Sequence, residues 1–90
     1  MNSTVEDLQI SITQFQVLFM KYRSGQGIIS EREIESLALY FEQGEWKLIA
    51  YCRLRQENRE FMLSRIVSVS KTEKTFAPNQ FTLDEYFKHK

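Results

Sequence analysis

The sequence predicts a mainly β fold with short helices at its two ends. Three observations carry this expectation. Apolar residues alternate strictly from Trp46 to Leu54. The run FQVLFMKY, Phe15 to Tyr22, is rich in β-branched and aromatic residues. Turn signals, Ser24-Gly25-Gln26-Gly27 and Gln43-Gly44-Glu45, separate the extended runs.

Ninety residues suffice for one domain with a thin core, expected over residues 1–90. A 42% hydrophobic and 27% charged composition is ordinary for a folded chain and excludes disorder for most of it. Basic and acidic residues balance at twelve each, so the molecule as a whole has no electrostatic pull on nucleic acid or membrane. The N-terminus lacks a secretory pattern and no apolar run is long enough to cross a bilayer, so the expectation is a cytoplasmic protein with no membrane partner. Cys52 is the sole cysteine and has no partner for a disulfide.

Ser3 and Thr4 precede Val5-Glu6-Asp7, a hydroxyl cap followed by first-turn acids. Val5, Leu8, Ile12 and Phe15 fall on one stripe, predicting a helix from about 4 to 13. The strand-rich region then runs from about 15 to 75. Ile28 to Glu35 reads as a second strand, extended after a bend through Leu37 to Phe41. In WKLIAYCRL the even positions Trp46, Leu48, Ala50, Cys52 and Leu54 should face the core, and Lys47, Ile49, Tyr51 and Arg53 should face outward. After a polar turn at Gln56-Glu57-Asn58, the strand REFMLSRI places Phe61 and Leu63 on odd positions. For these to share a face with Ala50 and Cys52, opposed residue numbers must sum to an odd value and the loop must have even length. Val67 to Thr75 forms the last strand, Ala77-Pro78-Asn79 ends it, and Thr82-Leu83-Asp84-Glu85 fits a capping box opening a helix at about 82–88.

The stretch GEWKLIAYCRLRQENREFMLSRI, Gly44 to Ile66, resembles the signature of the WYL domain family. Trp46, Leu48, Ala50, Tyr51, Cys52, Arg53, Arg59, Phe61, Leu63, Arg65 and Ile66 carry the match, with Tyr22, the strand REIESLALYF and the tail from Phe76 agreeing on the flanks. The resemblance implies an Sm-like, SH3-type small β-barrel of about five strands. It also implies the ligand-sensing part of a bacterial transcription regulator, working with a DNA-binding domain on the same or another chain. Nucleotides and single-stranded nucleic acid are the ligand types it implies. The sequence departs from the family pattern at Lys47 (family Tyr), Met62 (Arg), Ser64 (Asp) and Ser36 (Pro). Parity puts Lys47, Met62 and Ser64 together on the outer face.

Between Lys47 and Arg65 there are five cations and two anions. Lys47, Tyr51, Arg53, Arg55, Arg59 and Arg65 are therefore the candidate ligand-binding residues. Guanidinium forks suit phosphate, and Tyr51 between cations can stack a base. The competing reading for each arginine is a solvated residue paired with Glu57, Glu60 or Glu45. Trp46 reads as core. Glu31, Glu33 and Glu35 read as a solvated strand edge and not a metal site, since no histidine accompanies them. No cofactor motif is present, and Cys52 has only His89 as a conceivable activating base, so no catalytic group is assigned. The alternative function is a protein-interaction or oligomerisation module, including a homodimer, with a degenerate ligand site. Ile49 and Met62 on the outer face argue for that reading.

Overall fold

The computed structural model describes residues 3–78 and 80–88. His89 and Asn79 lie outside them. Helix α1 spans Ser3–Gln14, followed by β1 Gln16–Arg23, β2 Ile29–Glu42, β3 Glu45–Cys52, β4 Glu57–Met62, a 3-10 turn Leu63–Arg65, β5 Ile66–Thr75 and α2 Leu83–Lys88.

The strands form one antiparallel sheet in the order β4-β3-β2-β1-β5. This corrects the expected Sm-like, SH3-type barrel: β4 and β5 are edges and do not pair, so the sheet is not closed. The residues between them explain why. Leu63–Arg65 turn helically, and the Ile66 amide donates back to the Leu63 carbonyl, so groups that would begin a closing ladder are spent inside the turn. The Tyr22 hydroxyl instead accepts from the Met62 amide at 3.0 Å, linking β1 to the β4 edge. Register shifts in the β1–β5 pairing, and one in β2–β3 between Ser36 and Ala38, add local twist. The β2–β3 connection is two residues, Gln43 (φ 54°) and Gly44 (φ 80°), the positive-φ pair a tight hairpin needs.

The core is Leu8 from α1 with Leu18, Met20, Ile34, Leu48, Ala50, Cys52 and Phe61 from four strands. Leu8 and Ser11 turn inward, and the Ser11 hydroxyl donates to the Leu8 carbonyl at 2.7 Å. The Tyr22 ring meets Phe61 edge-on at 5.1 Å. On the β2 bulge Ser36 is buried opposite Ala50, and its hydroxyl has no hydrogen-bond partner.

Candidate functional site

The β3–β4 hairpin pairs Lys47 with Met62, Leu48 with Phe61, Ile49 with Glu60, Ala50 with Arg59, Tyr51 with Asn58 and Cys52 with Glu57. Opposed numbers sum to an odd value, as the apolar pattern requires, and the turn Arg53–Gln56 has four residues. The turn thus begins and ends earlier than expected. Leu54 falls in it and is 63% exposed. Gln56 takes φ 56° to close it.

Two further sequence expectations about sidedness fail. Trp46 keeps core parity but sits at the strand start, beyond the core. It is 46% exposed and meets Phe41 edge-on at 5.5 Å. Ile49 keeps outward parity but is 0% exposed, so it offers no surface patch. Helix α2 packs against this outer side. Thr82 caps it, its Oγ1 accepting from the Glu85 amide at 3.2 Å. Tyr86 donates to Glu60 Oε2 at 2.9 Å, and Tyr40 of β2 donates to Glu60 Oε1 at 2.7 Å. The Phe87 ring meets Tyr40 at 5.2 Å. Burial first, and then the shared Glu60 carboxylate, raise both phenols. Tyr86 is pushed up to about 12, and Tyr40 is also raised. The sequence showed α2 but gave it no role. The signal was its aromatic content, Phe81, Tyr86 and Phe87, on a stretch too short to hold itself together.

The six candidate residues do not form one cluster. Lys47 is drawn to Glu42, with Nζ–Oε2 at 3.1 Å. Arg53 spans two carboxylates of β2, Glu35 at 3.0 Å and Glu33 at 3.5 Å. Lys74 of β5 reaches Glu33 at 2.9 Å. Hydrogen bonding from Lys74 leads in holding the Glu33 carboxyl below its usual range, against the opposing effect of desolvation, with the charges of Lys74 and Arg53 assisting. The glutamates are therefore ion-pair partners on the outward side of central strand β2, which corrects their reading as a strand edge. Tyr51 lines a cleft of about 300 Å³ with Glu35, Leu37, Asn58 and Phe81.

The remaining three arginines are differently placed. Arg55 is exposed in the hairpin turn, and Arg59 lies opposite Ala50, exposed at the β4 edge on the core-facing side. Arg65 ends the 3-10 turn and lines a cleft of about 190 Å³ with Arg23, Ser64, Ile66 and Val67. Its guanidinium lies so close to Gly25 that an added Cβ there would stand 3.3 Å from Nη1. No side-chain hydrogen bond or ion pair engages Arg23, Arg55, Arg59 or Arg65 among the described residues. Ser64 has left the sheet and faces this cleft, so the expectation that it shares a sheet face with Lys47 and Met62 is corrected. Arg23 was not among the sequence candidates. Only the fold brings it beside Arg65.

On the core-facing side, Arg32 of β2 reaches Ser30 Oγ through Nη2, lies 3.7 Å from Cys52 Sγ through Nη1, and stands 5.7 Å from the Phe61 ring centroid. Cys52 itself is buried. Among the described residues no group of three His, Cys, Asp or Glu side chains could hold a metal ion. No helix among them is long and apolar enough to cross a membrane.

The family of WYL domains matches residues 3–71. The chain is 30% identical over 79 residues to the uncharacterized HTH-type transcriptional regulator YobV of Bacillus subtilis (strain 168), covering 88% of this chain and 25% of that protein. Among solved structures it superposes on proteasome accessory factor B/C (PafBC) of Arthrobacter aurescens with a TM-score of 0.79 at 25% identity, covering 88% of this chain and 13% of that one. The chain thus spans about a quarter of the curated relative's length and less of the solved structure. The Gly44–Ile66 signature and the match over residues 3–71 agree: the chain belongs to the WYL domain family, as a regulatory, non-catalytic domain.

Proposed function

We propose that residues 1–90 form one sensing module of a bacterial transcription regulator, taking a nucleotide, a short single-stranded nucleic acid or another anionic ligand. The observation that carries this reading is the unpaired state of Arg55, Arg59 and Arg65, with Arg65 and Arg23 lining one cleft that no acidic side chain lines. Like charges held together without counter-charge favour a phosphate, and guanidinium forks bind it bidentately. Lys47, Tyr51 and Arg53 complete the proposed surface on the other side of the hairpin. There an arriving phosphate must compete with Glu42, Glu33 and Glu35 for the cations. The HTH-type name of the curated relative supports a DNA-binding domain, on the same or another chain, as the partner that receives the signal. The cytoplasm is the compartment for such work.

Titration of the chain with cyclic and linear nucleotides and short single-stranded oligonucleotides tests this. Arg65→Ala should weaken binding about tenfold or more, since it removes a bidentate charge-assisted contact. Arg53→Ala should weaken it less, its guanidinium being already engaged. Affinity should fall steeply with salt for oligonucleotides. Binding by no member of the panel that depends on these arginines removes the sensing role.

One observation favours the second reading, a protein-interaction or oligomerisation module. Trp46 and Phe41 (59% exposed) form an apolar pair beside a cleft of about 230 Å³ lined by Val5, Gly44, Glu45, Trp46, Leu63 and Ser64. Light scattering on the wild type and a Phe41→Glu variant distinguishes it. A concentration-dependent dimer abolished by Phe41→Glu supports this module, and a monomer in both cases discards it.

A further inference from the structure

Three rows of paired residues cross the outward side of β2, β3 and β4: Tyr40–Lys47–Met62, Ala38–Ile49–Glu60 and Glu35–Tyr51–Asn58. The chain beyond β5 reaches all three. Phe87 meets the Tyr40 ring of the first row, Tyr86 donates to Glu60 of the second, and Phe81 walls the cleft that Glu35, Tyr51 and Asn58 of the third row line. This crossing segment has little to hold it together alone. Its helix has six residues and no buried side chain, too short to persist without neighbours. Its own rings touch in series, Phe81 to Tyr86 at 5.9 Å and Tyr86 to Phe87 at 5.4 Å, so they dock as one unit. Behind it the chain is pinned. The Phe76 amide donates to the Phe15 carbonyl at 2.8 Å, and the two rings meet edge-on at 5.8 Å. Between that pin and α2, residues 77, 78 and 80–82 belong to no helix or strand.

We infer that the segment from Phe81 to Lys88 is a releasable strap that gates the Tyr51 cleft. Docked, Phe81 forms one wall of the cleft and the outward side is shut. Lifted, the cleft loses that wall and merges with the ground around Tyr40 and Glu60 into one aromatic surface. The Phe76 pin and the irregular link behind the strap let it lift without disturbing β5. Glu60 is the catch. It accepts from Tyr40 on the sheet as well as from Tyr86 on the strap, so Tyr40 keeps the carboxylate aimed while the strap is away. The device goes beyond the anion reading and needs none of the arginines.

Two thiols in one molecule test it. Native Cys52 is 0% exposed in the core, and Leu37 lines the outward cleft beside Phe81. Leu37→Cys therefore puts a second thiol behind the strap, and both are followed by modification with an aromatic disulfide reagent at low urea concentrations. The thiol introduced at position 37 should react about tenfold or more faster than Cys52, at a rate nearly independent of urea. Cys52 should speed up steeply with urea, since only global unfolding exposes it. Adding Tyr86→Phe should raise the rate at position 37 about tenfold, the worth of one hydrogen bond to a charged acceptor. Equal urea dependence of the two thiols means that strap and core open only together, and overturns the inference. So does a thiol at position 37 that reacts like an unprotected one, or one indifferent to Tyr86→Phe. Should Leu37→Cys not fold, amide exchange on the wild type decides. The Tyr86 amide, which donates to the Thr82 carbonyl at 3.1 Å, should open without urea dependence, and an opening matched to the β3 amides overturns the strap.

Discussion

The two sides of the β3–β4 hairpin share one backbone ladder and are closed by opposite means. The core-facing side is filled by volume: Leu48, Ala50, Cys52 and Phe61 pack with Leu8, Leu18, Met20 and Ile34, and hydrogen bonding has little part in it. The outward side is closed by α2, a six-residue helix held through aromatic edges and two phenols that converge on the Glu60 carboxylate. A volume-filled face fails all at once when an atom group is removed. A face closed by a few polar contacts can be loosened one contact at a time. The second side is therefore the one that can be loosened without disturbing the packed core.

The strongest way to break this comparison is Phe61→Ala. It should cost about 3–5 kcal/mol, a large share of the stability of a domain this small, with a matching drop in the urea midpoint. A loss below about 1 kcal/mol would show that the inner face is not held by packing. Tyr86→Phe removes one hydrogen bond to a charged acceptor and should cost about 1–2 kcal/mol. Its hydrogen-exchange signature should be confined to α2 and the outward residues of β3 and β4. The pH dependence sharpens the same point. The Tyr86 phenol titrates near 10 when unfolded and at about 12 in the fold. Its contribution to stability is therefore complete below pH 10 and is lost as the pH rises through about 12. Urea midpoints at about pH 9 and about pH 11.5 should differ more in the wild type than in Tyr86→Phe. The smallest effect belongs to Ser36→Ala, which deletes a buried hydroxyl without a partner. It should leave stability unchanged or raise it by up to about 1 kcal/mol, and a loss would mean that the hydroxyl is engaged.

The hairpin's sidedness was legible because alternation and turn parity are strict: one register serves Leu48, Ala50, Cys52 and Phe61, and the chain adopts it. Alternation says which way a residue points, but not whether anything covers it. Trp46 points inward past the end of the core, and Ile49 points outward yet is buried, so parity alone misjudged both. Closure of the sheet was equally hidden. It depends on whether Leu63–Arg65 continue a strand or turn, and LSRI supports either. The cation surface was legible as composition and not as arrangement. Lys47, Arg53, Arg55 and Arg59 share one stretch of sequence, yet glutamates of β2, five residues from Lys47 and 18 or 20 from Arg53, decide which of them is engaged.

The three residues joining the opposite margins of the sheet have a mechanical consequence. From Met62 to Ile66 even a fully extended chain spans only about 14 Å, so β4 and β5 are tethered at one point while the rest of their margins remain free. Arg65 sits on that tether. Tension applied to its guanidinium would be shared by the two outermost strands of the molecule at once, and the gap between them could flex about this pivot while the packed interior stayed intact.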